Sequence, residues 1–295
     1  MHIERGNYQS FASMIPLLRL VFPQDDPRYY RNFLLYDPLF DPTLTWQAKE
    51  GGKVVSCVWL LPRQFTGEKT PIFAGGIANV ATHPDFRGRG LASLLIEEAL
   101  REAKKRKWSF VFLMTDIPHF YEKWGFREKK KFSASLPPSS SLPLRSRPAP
   151  LLERLEIYGE FYRRFNLVVP LRNPAYERGL SRWNRYSAFF HEGREVARWM
   201  KLSTFEDTPL YAYLLQGEKE IRIFDLFWPR KTSDGTARAM IGALATRAKK
   251  TVVLFHHPQV LETLGFSPQP ASDTVMILSF HTPKGEIYLP PADAI

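Results

Sequence analysis

Cysteine is nearly missing from this chain of 295 residues: Cys57 stands alone. One thiol excludes an internal disulfide framework and fits a reducing compartment. Its apolar neighbours, Val54 to Leu61, make it a core thiol rather than a nucleophile. Long apolar runs are missing too, and nothing approaches the roughly 20 residues needed to cross a bilayer. The opening residues, Met1-His-Ile-Glu-Arg, carry no basic-then-apolar leader. These gaps lead to the expectation of a cytoplasmic protein that does not use a membrane. Metal-ligand spacings such as HxxxH or CxxC do not occur. His256 and His257 are adjacent, so on a strand their side chains diverge, and no metal is expected. There is no Gly-x-Ser-x-Gly elbow or Cys/His pattern for a hydrolase.

What is present supports a folded core: 44% of residues are hydrophobic and 14% aromatic, which argues against global disorder. The 41 Lys and Arg exceed the 30 Asp and Glu, leaving a net charge of +11. Nucleic acid is one reading of such an excess. The charges are spread along the chain, however, with Lys104-Lys105-Arg106-Lys107 and Lys129-Lys130-Lys131 as the only local runs. Solvated faces explain them better, and a positive field also suits a phosphate-rich coenzyme.

The rest of the chain is organised around Asn79-Val-Ala-Thr-His-Pro-Asp-Phe-Arg-Gly-Arg-Gly-Leu-Ala92. A β-type run, Ile72 to Ala81, leads in, and a helical run, Leu91 to Lys105, leads out. Gly88 and Gly90 allow the backbone close to a ligand. The first amides of the helix have no internal partners and carry the positive end of its dipole. Arg87 and Arg89 add full charges, so the corner is a cradle for a diphosphate. It lacks the lysine and hydroxyl of a GxxxxGK[ST] loop and the spacing of GxGxxG, which disfavours nucleoside triphosphates and dinucleotides. A second stretch follows, Phe110-Val-Phe-Leu-Met-Thr-Asp116, and then Phe120-Tyr-Glu-Lys-Trp-Gly-Phe126.

With both stretches in hand, the chain resembles the GNAT acetyltransferase superfamily. Arg87 to Ala92 matches that family's Q/R-x-x-G-x-G/A signature, and Tyr121 to Phe126 is similar to its F-Y-x-x-x-G-F element. The short connection Asp116 to Tyr121 is similar to the subgroup that includes the enhanced-intracellular-survival acetyltransferases. The resemblance implies acetyl-coenzyme A as co-substrate, bound by Val80, Ala81 and Thr82 along the pantetheine arm and by Arg87, Gly88, Arg89, Gly90, Leu91 and Ala92 at the diphosphate.

In order along the chain, Ile3 to Leu20 reads as a strand and then a helix around Phe11, Met14, Ile15 and Leu18. Arg28 to Tyr36 is expected to be helical. In the resemblance, this region helps form the acceptor pocket, where Asp25, Asp26, Tyr29 and Tyr30 would receive a cationic amine. The spacing of Tyr29, Phe33 and Tyr36 fits core packing equally well. Thr43 to Lys49 and Lys53 to Leu61 flank Glu50-Gly51-Gly52 as a hairpin, and Arg63 to Phe65 reads as the start of another strand. Gly75-Gly76 within the Ile72 to Thr82 strand suggests a bulge or a close approach by ligand. On the following helix, Ala92, Leu95, Ile96, Ala99 and Ala103 form one core face, with Glu97–Arg101 and Glu102–Arg106 as outer pairs.

Residues 137–150, rich in Pro and Ser, read as a linker without regular structure. Beyond it, the stretch from Thr251 to Phe266 repeats the pattern of Phe110 to Phe126, with Gly265 matching Gly125. The expected fold is therefore α/β (α+β), with two tandem GNAT-like mixed-sheet units: residues 1–136, the linker 137–150, and residues 151–295. In the second unit Leu261 replaces Tyr121, and Pro229 to Thr236 lacks the glycine corner, so that unit reads as degenerate.

Acetyl transfer to an amine needs a polarised carbonyl, a neutral amine and a proton for the leaving thiolate. Tyr121 is the candidate acid, protonated at neutral pH by its ordinary pKa near 10; a purely structural aromatic is the competing role. The base is open among Asp116, Asp25, Asp26 and Glu50, ordered water, or the carboxylate of Ile295, because the key strand offers Asn79 rather than an acid. The favoured function is N-acetyl transfer to a primary amine of a small molecule or peptide. A non-catalytic acyl-coenzyme A sensor and a tandem transferase acting on aminoacyl-tRNA or a peptide end are the alternatives. A homo-oligomer stays open.

Overall fold

A computed structural model describes residues 1–204 and 208–293, and all of their side chains except those of 272 and 273. Among these residues twelve strands join into one sheet and eight α-helices pack against it. The first half contributes β1 (His2–Arg5), α1 (Ile15–Val21), α2 (Pro27–Tyr36), β2 (Thr45–Glu50), β3 (Lys53–Phe65), β4 (Ile72–Thr82), α3 (Leu91–Lys105), β5 (Phe110–Thr115), α4 (His119–Glu122) and β6 (Arg127–Leu136). The second contributes β7 (Arg145–Pro148), α5 (Leu151–Arg163), α6 (Pro174–Asn184), β8 (Arg198–Ser203), β9 (Pro209–Gln216), β10 (Glu220–Phe227), α7 (Asp234–Ala248), β11 (Thr251–His256), α8 (Pro258–Thr263) and β12 (Gln269–Ser279).

The sheet order is β1-β2-β3-β4-β5-β12-β6-β11-β10-β9-β8-β7. Each half has antiparallel strands and then one parallel pair, β4 with β5 and β10 with β11. The last strands are exchanged. β12, from the second half, pairs with β5, and β6, from the first, pairs with β11. The two similarly wired units therefore share one continuous sheet.

Local sequence explains the elements that carry the site. Asp26 caps α2 by accepting from the Arg28 N–H, and Pro27 sits at the first helical position. Gly51 and Gly52, both at positive φ, turn β2 into β3. α3 buries Leu91, Leu95, Ile96, Ala99, Leu100 and Ala103 against the sheet and ends on Lys104 and Lys105.

Four expectations are corrected. Arg63 to Phe65 starts no new strand but ends β3, where the buried Arg63 pairs with Asp37, the C-cap of α2, at 2.8 Å. Gly75 makes room for the Trp108 ring rather than for a ligand: a Cβ there would stand 2.6 Å from Trp108 Cζ3. Arg101 pairs with Glu98, one residue on from the expected Glu97, while Glu102–Arg106 forms as read. The Pro- and Ser-rich stretch holds a regular element after all, since β7 pairs with β8 at the sheet edge, where proline is tolerated.

Candidate functional site

The site begins where β4 and β5 part. Their parallel ladder runs only over Ala74, Gly75 and Gly76 against Phe110, Val111 and Phe112. Beyond it the edge of β4 facing β5 has no ladder partner among the described residues. The other edge stays paired with β3, but its register slips between Cys57 and Trp59. Asn79 sits in this bulge at φ 52°, a left-handed conformation that asparagine tolerates. Its amide nitrogen Nδ2 is buried without a hydrogen-bond partner among the described residues.

At the end of β4 the chain turns through Pro84–Phe86 into α3. Gly88 and Gly90 have φ 76° and 74°, and a Cβ on either would meet nothing within 4 Å. Gly90 starts α3 without a side-chain cap, and no acid stands in its first turn. The helix thus presents unpaired amides and its positive pole to open space. Arg87 Nε donates to the Thr82 carbonyl at 3.3 Å and Arg89 Nη2 to the Asp85 carbonyl at 3.1 Å. Both arginines are exposed, and Arg89 also stacks over Phe86. Lys123, which sequence reasoning passed over, donates to Ser93 Oγ at 2.7 Å from across the corner. Its ammonium lies 4.2 Å from the Trp124 ring centroid. No spacing rule links residues 93 and 123.

The gap between β4 and β5 widens into a cleft of about 570 Å³. Val80, Asp25, Tyr29, Asp116 and Tyr121 line it together, with Asn79 beside them. Tyr121 is 5% exposed and packs against Phe120, Trp124 and Phe126. Burial pushes its phenol up to about 12, and its hydroxyl has no hydrogen-bond partner among the described residues. Burial also raises the Asp25 carboxyl, an effect the Ala188 N–H partly offsets by donating to Oδ1 at 3.0 Å. Asp116 is exposed at the mouth.

Other expected residues lie elsewhere. Tyr30 is wholly buried among core aromatics near Trp59 and does not line the cleft. Asp26 is engaged as the α2 cap and in an ion pair with Arg28, whose hydrogen bond holds its carboxyl below the usual range. Glu50 binds the N-terminal amine of Met1 at 2.8 Å, at the hairpin tip. Ile295 lies outside the described residues. Ala81 and Thr82 continue β4 above the cleft, and Ser56 Oγ donates to the Ala81 carbonyl at 2.9 Å. Sequence reasoning missed Ser187 and Phe189, which line the cleft from the second half of the chain.

The matching place in the second unit is closed. β10 and β11 pair from Glu220 to Ile223 and then part, but Tyr162 fills the gap, donating to Asp225 and lying 3.2 Å from His256 Nε2. His256 Nε2 donates to the Leu226 carbonyl, and burial lowers its pKa to about 3. At the head of α7, Ser233 Oγ accepts from the Thr236 N–H, and Asp234 occupies the first turn.

This twelve-stranded mixed sheet, wired twice in the same way, defines the class as GNAT-like α/β proteins. The family described as Acetyltransferase (GNAT) domain matches residues 2–128. Comparison with curated proteins finds no match. Among solved structures, a GCN5-related N-acetyltransferase from Anabaena variabilis ATCC 29413 is similar at TM-score 0.70 and 18% identity, covering 94% of this chain and 72% of that one. Eis1 from Mycobacterium abscessus is similar at 0.62 and 12%, covering 95% and 74%. Saccharomyces cerevisiae N-myristoyltransferase with bound myristoyl-CoA is similar at 0.56 and 11%, covering 96% and 80%. At these identities the structural likeness speaks for the fold.

Proposed function

We propose that the protein is an N-acetyltransferase that moves an acetyl group from acetyl-coenzyme A to a primary amine of a small molecule or peptide. The observation that carries this reading is the single path from the open glycine corner, along the unpaired edge of β4, to the cleft holding Tyr121 and Asp25. The bound coenzyme would supply the thioester and the thiolate leaving group. Gly88, Gly90 and the first amides of α3 fit its diphosphate, with Arg87 and Arg89 adding charge, and β4 from Val80 to Thr82 would hold the arm.

Tyr121 then serves as the acid. Its raised pKa keeps the proton in place until sulfur charge develops. Asp25 serves as the base, because it lines the cleft and burial raises its carboxyl above the ordinary range, making it a better proton acceptor. In this reading residues 1–136 carry the chemistry, residues 137–150 connect, and residues 151–295 are a scaffold that adds Ser187 and Phe189 to the acceptor wall. A cytoplasmic place fits the single, buried Cys57.

The test is release of free coenzyme A from acetyl-coenzyme A over a panel of primary amines. Tyr121→Phe is expected to slow turnover by about 100-fold or more while changing coenzyme affinity by less than about threefold. Unchanged turnover removes Tyr121 from the reaction. Coenzyme binding without transfer to any amine favours the sensor reading instead.

A further inference from the structure

A second concavity, of about 540 Å³, lies along the α2–α6 pair and shares no lining residue with the cleft at β4 and β5. Its lining is lopsided in charge: Arg154, Arg178, Arg182 and Arg185 face a single carboxylate, Glu177. That carboxylate is 1% exposed and already engaged by Arg154 and Arg172, so it neutralises nothing further.

Arg178 and Arg182 on α6, and Arg185 at its C-cap, stand at i, i+4 and i+7, which brings them onto one stripe. All three are exposed, and none makes an ion pair with a carboxylate among the described residues. Like charges at this spacing repel one another, so the stripe is held at some cost. Arg182 is braced in position by stacking, its guanidinium carbon 4.0 Å from the Tyr36 ring centroid. Arg28 stacks in the same way over Tyr186, 4.4 Å from its centroid, beside Arg185. At the floor the Arg154 side chain is 7% exposed and fixed in place, with Nη1 donating to the Ala149 carbonyl at 3.4 Å and Nη2 to Glu177.

We infer that this α2–α6 cleft binds a phosphorylated small molecule. Its volume is that of a small-molecule site rather than a long polyanion track. Several guanidinium forks converging on one hollow match a tetrahedral, doubly charged oxyanion better than a lone carboxylate. The Ser181 hydroxyl on the same wall adds a neutral donor. The inference does not depend on acetyl transfer.

Calorimetric titration of the full chain with inorganic pyrophosphate tests it, with coenzyme A at saturation so that the glycine corner is filled. One further site per chain is expected. In Arg182→Ala/Arg185→Ala its affinity should fall by about tenfold or more, while Arg87→Ala/Arg89→Ala leaves it within about twofold. Both arginines of the first pair are exposed, so that variant should melt within about 2 °C of the wild type. No binding up to about 10 mM, or equal binding in the Arg182/Arg185 variant, would overturn the site. Citrate binding as tightly as pyrophosphate would overturn the phosphate assignment. If coenzyme A itself fails to bind, the acetyltransferase reading falls, and the same titration on Arg87→Ala/Arg89→Ala still decides the cleft.

Discussion

Gly90→Ala separates the cost of a strained backbone from the loss of a ligand site. Gly90 has φ 74°, and a Cβ there meets nothing within 4 Å. The substitution therefore causes no clash, and its structural cost is that of an L-residue held in the left-handed region, about 1 kcal/mol. In a chain of this size that is a fall in melting temperature of about 2 °C. Gly52 provides a matched control. Its φ is 76°, its added Cβ also meets nothing within 4 Å, and it lies at the β2–β3 hairpin tip outside the lining of the acceptor cleft. Gly52→Ala should lower the melting temperature by the same amount. The two differ in what occupies the open space. If a diphosphate sits against the α3 amides, the Gly90 methyl stands in its path and disrupts at least one charge-assisted hydrogen bond, worth about 1.5–3 kcal/mol. Coenzyme A affinity, read by calorimetry, should then fall by about tenfold to a hundredfold in Gly90→Ala and stay unchanged in Gly52→Ala. Affinity in Gly90→Ala within about twofold of the wild type would show that the corner does not hold the coenzyme.

Gly75→Ala should destabilise the chain by about 1–3 kcal/mol, because its Cβ lands 2.6 Å from Trp108 Cζ3 and 2.7 Å from Leu60 Cδ1. Urea unfolding measures this, Trp108→Leu in the same chain should recover part of it, and a wild-type midpoint for Gly75→Ala would refute the packing argument. Asp293 predicts a pH effect. Burial raises its carboxyl to about 6 although Arg172 beside it pulls the other way. Between about pH 4 and pH 6 the folded chain keeps a proton that the unfolded chain has lost, so this group's contribution falls as pH rises through that window and is flat above it. The stability of Asp293→Asn, measured by denaturant titration across the window, should lack that component; identical slopes for the two proteins would count against it.

What the sequence made legible was local. The bounds of β4 and α3 agree with the hydrophobic periods, and the corner between them is contiguous, so residues 79–92 disclose it without tertiary knowledge. The hairpin at Gly51-Gly52 was readable for the same reason. The full lining of the cleft was not. Ser187 and Phe189 reach the cleft from more than 160 positions beyond Gln24 and Asp25, and no period connects them. Tyr30 misled because aromatic residues on a helix look alike whichever face they take, and only packing against Trp59 decides it. Gly75 misled because a glycine in a strand reports that something comes close, not whether that neighbour is a ligand or an indole.

The two units act as an internal control on the site. Both part their parallel strands and both follow with a 15-residue helix, α3 and α7, so the backbone framework for a diphosphate site exists twice. The difference lies in a few side chains. α3 opens on a bare Gly90 with no acid in its first turn, whereas α7 is capped by Ser233 and carries Asp234 there. A capped amide has no donor left to offer, and the acid opposes the helix pole that would attract an anion. In the gap itself, Tyr121 leaves its hydroxyl unpaired among the described residues, while Tyr162 is tied to Asp225. Both units share the sheet wiring, and the side chains at the helix head and in the strand gap leave one of them open. If the proposed reading holds, the acceptor wall would lie between units, because the second unit, closed at its own gap, lends Ser187 and Phe189 to the lining of the cleft in the first.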